Sequence, residues 1–77
     1  MSDFKSICTK EMIENPTSEV VVRFREVMGF TQPDAAQHAG LTRRGWQHAE
    51  ANGMKSQTFE LLLLKTDQHP FLILQKR

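Results

Sequence analysis

Residues 31–50 read TQPDAAQHAGLTRRGWQHAE, and their polar and small residues have the spacing of two short consecutive helices. Thr31 can N-cap the first helix, and Asp34, three residues on, can complete a capping box with it. Gly40 can end that helix in the left-handed conformation at little steric cost. Thr42 can then cap a second helix. The stretch therefore predicts two helices joined by a short turn that contains a glycine.

Two short helices joined by such a turn form the helix-turn-helix motif, which reads the major groove of DNA. The stretch resembles the Xre/Cro-type repressors of phages and bacterial mobile elements, and it matches their pattern T-Q-x-x-A-A-x-x-x-G-[LV]-[ST]-x-x-x-[WVI]-x-x-x-E without a gap. Upstream, residues 23–30 are similar to the family's first helix, and downstream residues 59–64 are similar to its fourth. The resemblance implies a compact, all-α, five-helix, lambda-repressor-like DNA-binding domain.

Apolar spacing and turn residues divide the rest of the chain into helical segments. Helices are predicted at residues 17–28, 31–39, 42–51 and 56–66. A short amphipathic helix is predicted at residues 3–13, and a helical turn or a short strand at residues 71–74. We expect a single domain that comprises a core, an N-terminal extension and a C-terminal tail, at residues 17–66, 1–16 and 67–77.

The chain has 77 residues and a net charge of +1, so composition alone restricts its function only weakly. A single domain of this size buries only about 60% of the surface of its unfolded chain, so dimerisation would help to stabilise it. The small net charge argues against non-specific attachment to nucleic acid. Residues 31–77 carry more basic than acidic side chains, whereas residues 1–30 carry more acidic ones. Any positive field should therefore centre on the motif half.

The second helix of the motif has one face for the core and one for a partner. Trp46 and Ala49 share an apolar stripe with the small residues of the preceding helix, so we expect both to face the core. The remaining positions face outward, and the resemblance implies that residues there read base edges in the major groove. The predicted base-reading residues are Arg43, Arg44, Gln47 and His48. Gly45 departs from the family pattern, in which this position usually carries a side chain.

Other residues are predicted to contact the DNA backbone or to stabilise the motif. The family's phosphate contacts correspond to Gln32 and Thr42, at the starts of the two helices, where backbone N–H groups also favour phosphate oxygens. The loop after the second helix offers a second phosphate clamp, formed by Asn52, Lys55 and Ser56. The family also pairs the position of Glu50 with an arginine of its first helix, which implies a structural ion pair between Arg25 and Glu50.

The C-terminal half contains more leucine residues than a single buried helix face can accommodate. In the helix predicted to be capped by Ser56, the side chains expected inward are Phe59, Leu62 and Leu63. The surplus apolar residues predict a self-complementary surface for a homodimer. The predicted interface consists of Leu61, Leu64, Phe71, Leu72 and Ile73. The N-terminal segment is the alternative place for it.

Other classes of function lack the residues they would need. The single Cys8 excludes an internal disulfide and fits a reducing cytoplasm. The longest apolar runs are too short for a membrane span. The spacing of the histidines and Cys8 matches no zinc pattern, so neither a metal nor another cofactor is expected. The sequence also contains no P-loop or nucleophile motif, so we expect no enzymatic activity.

The sequence therefore predicts a cytoplasmic transcriptional repressor that binds a double-stranded, palindromic DNA operator as a homodimer. Regulation of its own operon follows from the resemblance alone. One alternative is an adaptor domain that has lost DNA binding, which the intact Arg43–Arg44 pair disfavours. The other is an antitoxin whose main role is to bind and neutralise a toxin protein. That role would need a toxin-binding extension, which only the N-terminal segment or the tail could supply.

Overall fold

The computed structural model of the protein describes residues 4–70, and every element within them is helical. This confirms the predicted all-α class for that part of the chain. The helical turn or strand predicted at residues 71–74 lies outside the described residues. One turn of 3-10 helix precedes five α-helices, and the elements are Phe4–Ser6 (3-10), Lys10–Glu14 (α1), Ser18–Met28 (α2), Gln32–Ala39 (α3), Arg43–Asn52 (α4) and Ser56–Lys65 (α5).

The ends of α3 follow the capping residues of the sequence. The Asp34 backbone N–H donates to the Thr31 hydroxyl, and the Thr31 N–H donates to the Asp34 carboxylate, both over 3.3 Å. Gly40 then adopts the left-handed conformation, with φ 71°. The Leu41 N–H donates back to the carbonyl of Ala36 over 2.8 Å, which closes the helix. Only residues 40–42 separate α3 from α4.

The hydrophobic core draws on every helix, and an aromatic cluster lies at its centre. Phe4, Phe24 and Phe59 are fully buried and meet edge to face, with ring centroids 5.1–5.9 Å apart. This is the arrangement that aromatic quadrupoles favour. Small side chains allow α3 to approach its neighbours closely, and α3 and α4 form the most extensive helix contact of the described residues. The other buried apolar residues are Cys8, Ile13, Val21, Ala35, Ala36, Trp46, Ala49, Leu62 and Leu63.

Phe4, Cys8 and Ile13 belong to this core, which the predicted extension at residues 1–16 did not anticipate. The expected helix at residues 3–13 is also interrupted, because α1 begins only after Thr9, whose hydroxyl accepts from the Met12 N–H. The break turns the chain so that Phe4 and Ile13 both reach the core. Burial also raises the pKa of the Cys8 thiol, which disfavours the reactive thiolate.

Helix α5 presents the apolar residues predicted to face inward, but it begins differently. Lys55, and not Ser56, occupies the N-cap position, and its side chain makes no capping hydrogen bond. Phe59, Leu62 and Leu63 are buried as predicted, while 51% of Leu61 is exposed.

The chain after α5 folds back onto the N-terminal segment. The Gln68 N–H donates to the Leu63 carbonyl over 2.7 Å. The Gln68 side-chain oxygen accepts from the Lys5 N–H over 3.1 Å. The two ends of the described chain are therefore joined. Within residues 4–70, none of the helices has the length and apolar character that a bilayer span requires.

Candidate nucleic-acid interface

Helix α4 separates a buried face from an exposed one, as its sequence predicts. Trp46 is fully buried and Ala49 nearly so. The candidate base-reading residues, Arg43, Arg44, Gln47 and His48, are all exposed. The two arginines are the first two residues of the helix, so their cationic side chains lie at its positive end. The result is a surface rich in hydrogen-bond donors along one side of α4.

The start of α4 is fixed by its N-cap. The Thr42 hydroxyl accepts from the backbone N–H of Gly45 over 3.0 Å. A Cβ atom at Gly45 would lie 3.3 Å from that hydroxyl and 3.5 Å from the Cβ of Leu41. The glycine therefore fits the tight packing inside the first turn. Because Thr42 is exposed, its hydroxyl can accept from Gly45 and still donate to an acceptor outside the protein.

The carboxylate of Glu50 joins three helices. It accepts hydrogen bonds from Nε of Arg25 in α2 and, over 2.8 Å each, from the Gln32 amide in α3 and the Trp46 indole in α4. The side chains of Arg25 and Glu50 are 24% and 11% exposed. Arg25 also donates to the backbone carbonyl of Phe30 over 3.3 Å. The predicted Arg25–Glu50 ion pair is therefore confirmed, and it belongs to a larger network.

This network determines the protonation state of Glu50. Burial alone would raise the pKa of the carboxyl group. The hydrogen bonds from Arg25, Gln32 and Trp46, together with the positive charge of Arg25, outweigh that effect and lower the pKa below its ordinary value. Glu50 is therefore ionised at neutral pH. Its charge holds α4 in a fixed relation to α2 and α3.

Two of the candidate residues are linked across the turn between α3 and α4. The Gln47 amide donates to the side-chain oxygen of Gln32 over 3.3 Å. Gln32 in turn donates to Glu50 through one of the two N–H bonds of its amide. The second N–H is the donor that a phosphate contact from this residue would use. The structure thus brings the predicted phosphate-binding Gln32 beside the predicted base-reading Gln47.

The end of α4 and the loop after it bring together two of the other predicted phosphate-binding residues. Asn52 and Lys55 line one shallow concavity with His48, beside residues 15–18, which lead into α2. Gly53 allows this close approach, because a Cβ atom there would lie 2.9 Å from the backbone oxygen of Pro16. Ser56 follows Lys55 as an exposed residue at the start of α5. The Asn52 amide, however, contacts His48, which the sequence analysis did not predict.

The residues predicted to form a dimer interface are only partly described. Leu61 is exposed and Leu64 is half-buried, so α5 leaves some apolar surface uncovered. Phe71, Leu72 and Ile73 lie outside the described residues. Within residues 4–70, no group of three or more histidine, cysteine, aspartate or glutamate side chains has the arrangement of a metal site.

Sequence reasoning missed the hydrogen-bonding role of Trp46, which it predicted only as a core residue. A signal for this role was present, since Trp46 and Glu50 are four residues apart and so share one helix face. The contact of Gln32 with Glu50 had no such local signal, because it depends on how α3 packs against α4.

Comparison of the chain with protein-family models, with curated proteins and with solved structures gave no match.

Proposed function

We propose that this protein binds double-stranded DNA sequence-specifically, with α3 and α4 acting as a helix-turn-helix and α4 as the recognition helix. Arg43 and Arg44 read base edges from the first turn of α4, and Gln47 and His48 extend the reading surface. Thr42, Gln32 and Lys55 bind flanking phosphates. The resemblance to Xre/Cro-type repressors further supports a role as a repressor of transcription in the cytoplasm.

The observation that carries the proposal is the pair of arginines on the exposed first turn of a helix whose other face is anchored. Arginine can donate two hydrogen bonds to guanine O6 and N7, a geometry that lysine does not match. Reading bases also requires a helix held in a fixed orientation. The buried Trp46 and the Glu50 network hold α4 in this way.

Binding-site selection from random double-stranded DNA tests the proposal directly. The wild-type protein is expected to enrich one short motif. Arg43→Ala and Arg44→Ala should each weaken binding to that motif by about 1–3 kcal/mol and relax the preference at one base position per half-site. The matched control is the pair Lys10→Ala and Lys65→Ala, which removes two exposed positive charges from other helices. Failure to enrich any motif, or arginine variants with unchanged preference at every position, would contradict the proposal.

We also propose that the protein acts as a homodimer on a palindromic operator. One recognition helix reads only a few base pairs, whereas two related by a two-fold axis read half-sites about 34 Å apart. The exposed Leu61 on α5 supports an interface on this helix, since 51% of a large apolar side chain is open to solvent.

Leu61→Glu is expected to make the protein monomeric and to weaken binding to a full palindrome by about 100-fold, because the two half-sites then no longer bind as one unit. Ile7→Glu is the matched control, since within residues 4–70 Ile7 is the other large apolar side chain with high exposure, at 44%. Sedimentation and operator titration measure the two effects. If Leu61→Glu remains dimeric, the interface is not on this face of α5.

A further inference from the structure

Two polar side chains lie one turn apart at the end of α4, and the contact between them is specific. The Asn52 amide nitrogen is 3.2 Å from the backbone oxygen of His48 and 3.3 Å from Nδ1 of the His48 ring. Both side chains are exposed. The Asn52 amide therefore contacts the His48 ring, which in the proposed function faces the major groove.

The chemistry of these three groups decides which one donates. A backbone carbonyl oxygen can only accept a hydrogen bond, so the atom of Asn52 that faces it must be the NH₂ group. The nitrogen of that group is also within hydrogen-bonding distance of Nδ1 of His48. An amide nitrogen does not accept hydrogen bonds, so it is the donor in this contact as well. Nδ1 must then offer its lone pair, so the proton of the neutral imidazole resides on Nε2.

The backbone at this point is held in place, so the contact does not depend on Asn52 alone. The Gly53 N–H donates to the Ala49 carbonyl over 2.8 Å, and the Met54 N–H donates to the Pro16 carbonyl over 2.9 Å. These bonds fix the end of α4 against the residues that precede α2. The backbone of Asn52 is consequently held in a fixed position, one helical turn after His48.

We propose that Asn52 is a positioning residue that fixes the tautomer and orientation of His48, so that His48 reads DNA through an Nε2–H donor. This inference rests on the proposed function. It replaces the phosphate-binding role predicted for Asn52, because both N–H bonds of the amide are used within the protein. The oxygen that remains is an acceptor, and it cannot bind a phosphate.

A fixed donor at Nε2 selects bases by what they present in the major groove. Guanine offers two acceptors there, N7 and O6, and no donor. Adenine places its N6 amino group beside N7, and cytosine presents only its N4 amino group. In both bases a hydrogen-bond donor would therefore face the Nε2–H donor of His48, which is unfavourable. Thymine offers one acceptor there, O4, whereas guanine offers two. His48 is therefore expected to prefer guanine at the base position that it contacts, with thymine next.

The first part of the experiment uses the free protein, without DNA. Long-range ¹H–¹⁵N correlation spectra at about pH 9, well above the usual histidine pKa of about 6.5, report which ring nitrogen carries the proton. Wild-type His48 should carry it on Nε2. In Asn52→Asp the carboxylate can only accept, so the proton should move to Nδ1. Asn52→Ala should leave a mixture of tautomers, and the exposed His38 serves as the internal control in all three proteins.

The second part measures affinity on single-base variants of the selected motif. Wild type should prefer guanine by about tenfold at one position, equivalent to about 1.4 kcal/mol. His48→Ala should abolish that preference. Asn52→Ala should lose most of it and keep the preferences that Arg43 and Arg44 read. A residue that only terminates α4 would change thermal stability and leave base preference untouched.

The two parts separate the possible failures. A His48 tautomer that is the same in wild type and Asn52→Asp overturns the inference whether or not DNA binds. The expected tautomers with no selected motif overturn the proposed function, and with it the reading role of His48. The expected tautomers and a selected motif, but an unchanged preference in Asn52→Ala, overturn the positioning role alone.

Discussion

Replacement of Phe4 by alanine is expected to lower the free energy of unfolding by about 3–5 kcal/mol, the usual cost of removing a large aromatic side chain from a core. Phe4 is fully buried and its ring meets Phe24 and Phe59 at centroid distances of 5.1 and 5.9 Å. A domain of this size has a total stability of roughly 4–12 kcal/mol. The single substitution should therefore remove a large fraction of it.

Urea denaturation measures this loss, and two further variants make it specific. Phe4→Leu keeps an apolar side chain in the site and should cost less. Ile7→Ala changes a side chain that is 44% exposed in the same segment, so its effect should be small. If Phe4→Ala unfolds at the same urea concentration as wild type, the N-terminal segment is not part of the core in solution.

The position of Phe4 shows where sequence reasoning reached its limit. The helices from α2 to α5 could be predicted because their apolar spacing is a local signal, and so are the threonine caps of α3 and α4. The sequence near the N-terminus also has apolar residues at helical spacing, and it predicted one continuous helix at residues 3–13. Thr9 interrupts that helix by capping α1. Phe4 reaches the core because its ring packs against both Phe24 and Phe59. These two residues lie far apart in the sequence, so no local pattern predicts the site that they form together.

The candidate interface was predictable for a related reason. The outward positions of α4 follow from the helical period once Trp46 faces the core, so Arg43, Arg44, Gln47 and His48 could be named from the sequence. The side-chain contacts between these positions and their neighbours were harder to foresee. The spacing in the sequence places Asn52 on the same helix face as His48. It does not show whether the Asn52 amide donates to a phosphate or to the His48 imidazole. Only the distances to the His48 backbone and ring distinguish the two roles.

Loss of the Glu50 carboxylate is the second change with a large expected effect. Glu50→Gln should destabilise the protein by about 2–4 kcal/mol, because it leaves the charge of Arg25 partly buried without its partner and removes one of two acceptor oxygens. Arg25→Met should also destabilise it, since it leaves the Glu50 charge without a cation. Glu26→Gln is the matched control, because Glu26 is an exposed glutamate on the same helix as Arg25.

The double variant tests whether the two residues act together. Arg25→Met with Glu50→Gln should lose less than the sum of the single losses, by about 1–3 kcal/mol, because neither charge is then left unpaired. Thermal or urea unfolding of the four proteins completes the cycle. If the losses of the two single variants add up to the loss of the double variant, the interaction between Arg25 and Glu50 does not contribute to the free energy of unfolding.

The dependence of this effect on pH provides an independent test of the network. The folded protein holds the Glu50 pKa below its ordinary value of 4.5, so folding favours the ionised carboxylate. The resulting stability is fully present above the unfolded-state pKa and is lost as the pH falls through the lower pKa of the folded state.

The amide that replaces this carboxylate in Glu50→Gln does not titrate. The difference in unfolding free energy between wild type and Glu50→Gln should therefore be constant around neutral pH and shrink steadily below about pH 4.5. A difference that stays constant down to about pH 3, below the ordinary range of a glutamate pKa, would mean that the three donors do not hold the carboxylate in its charged form.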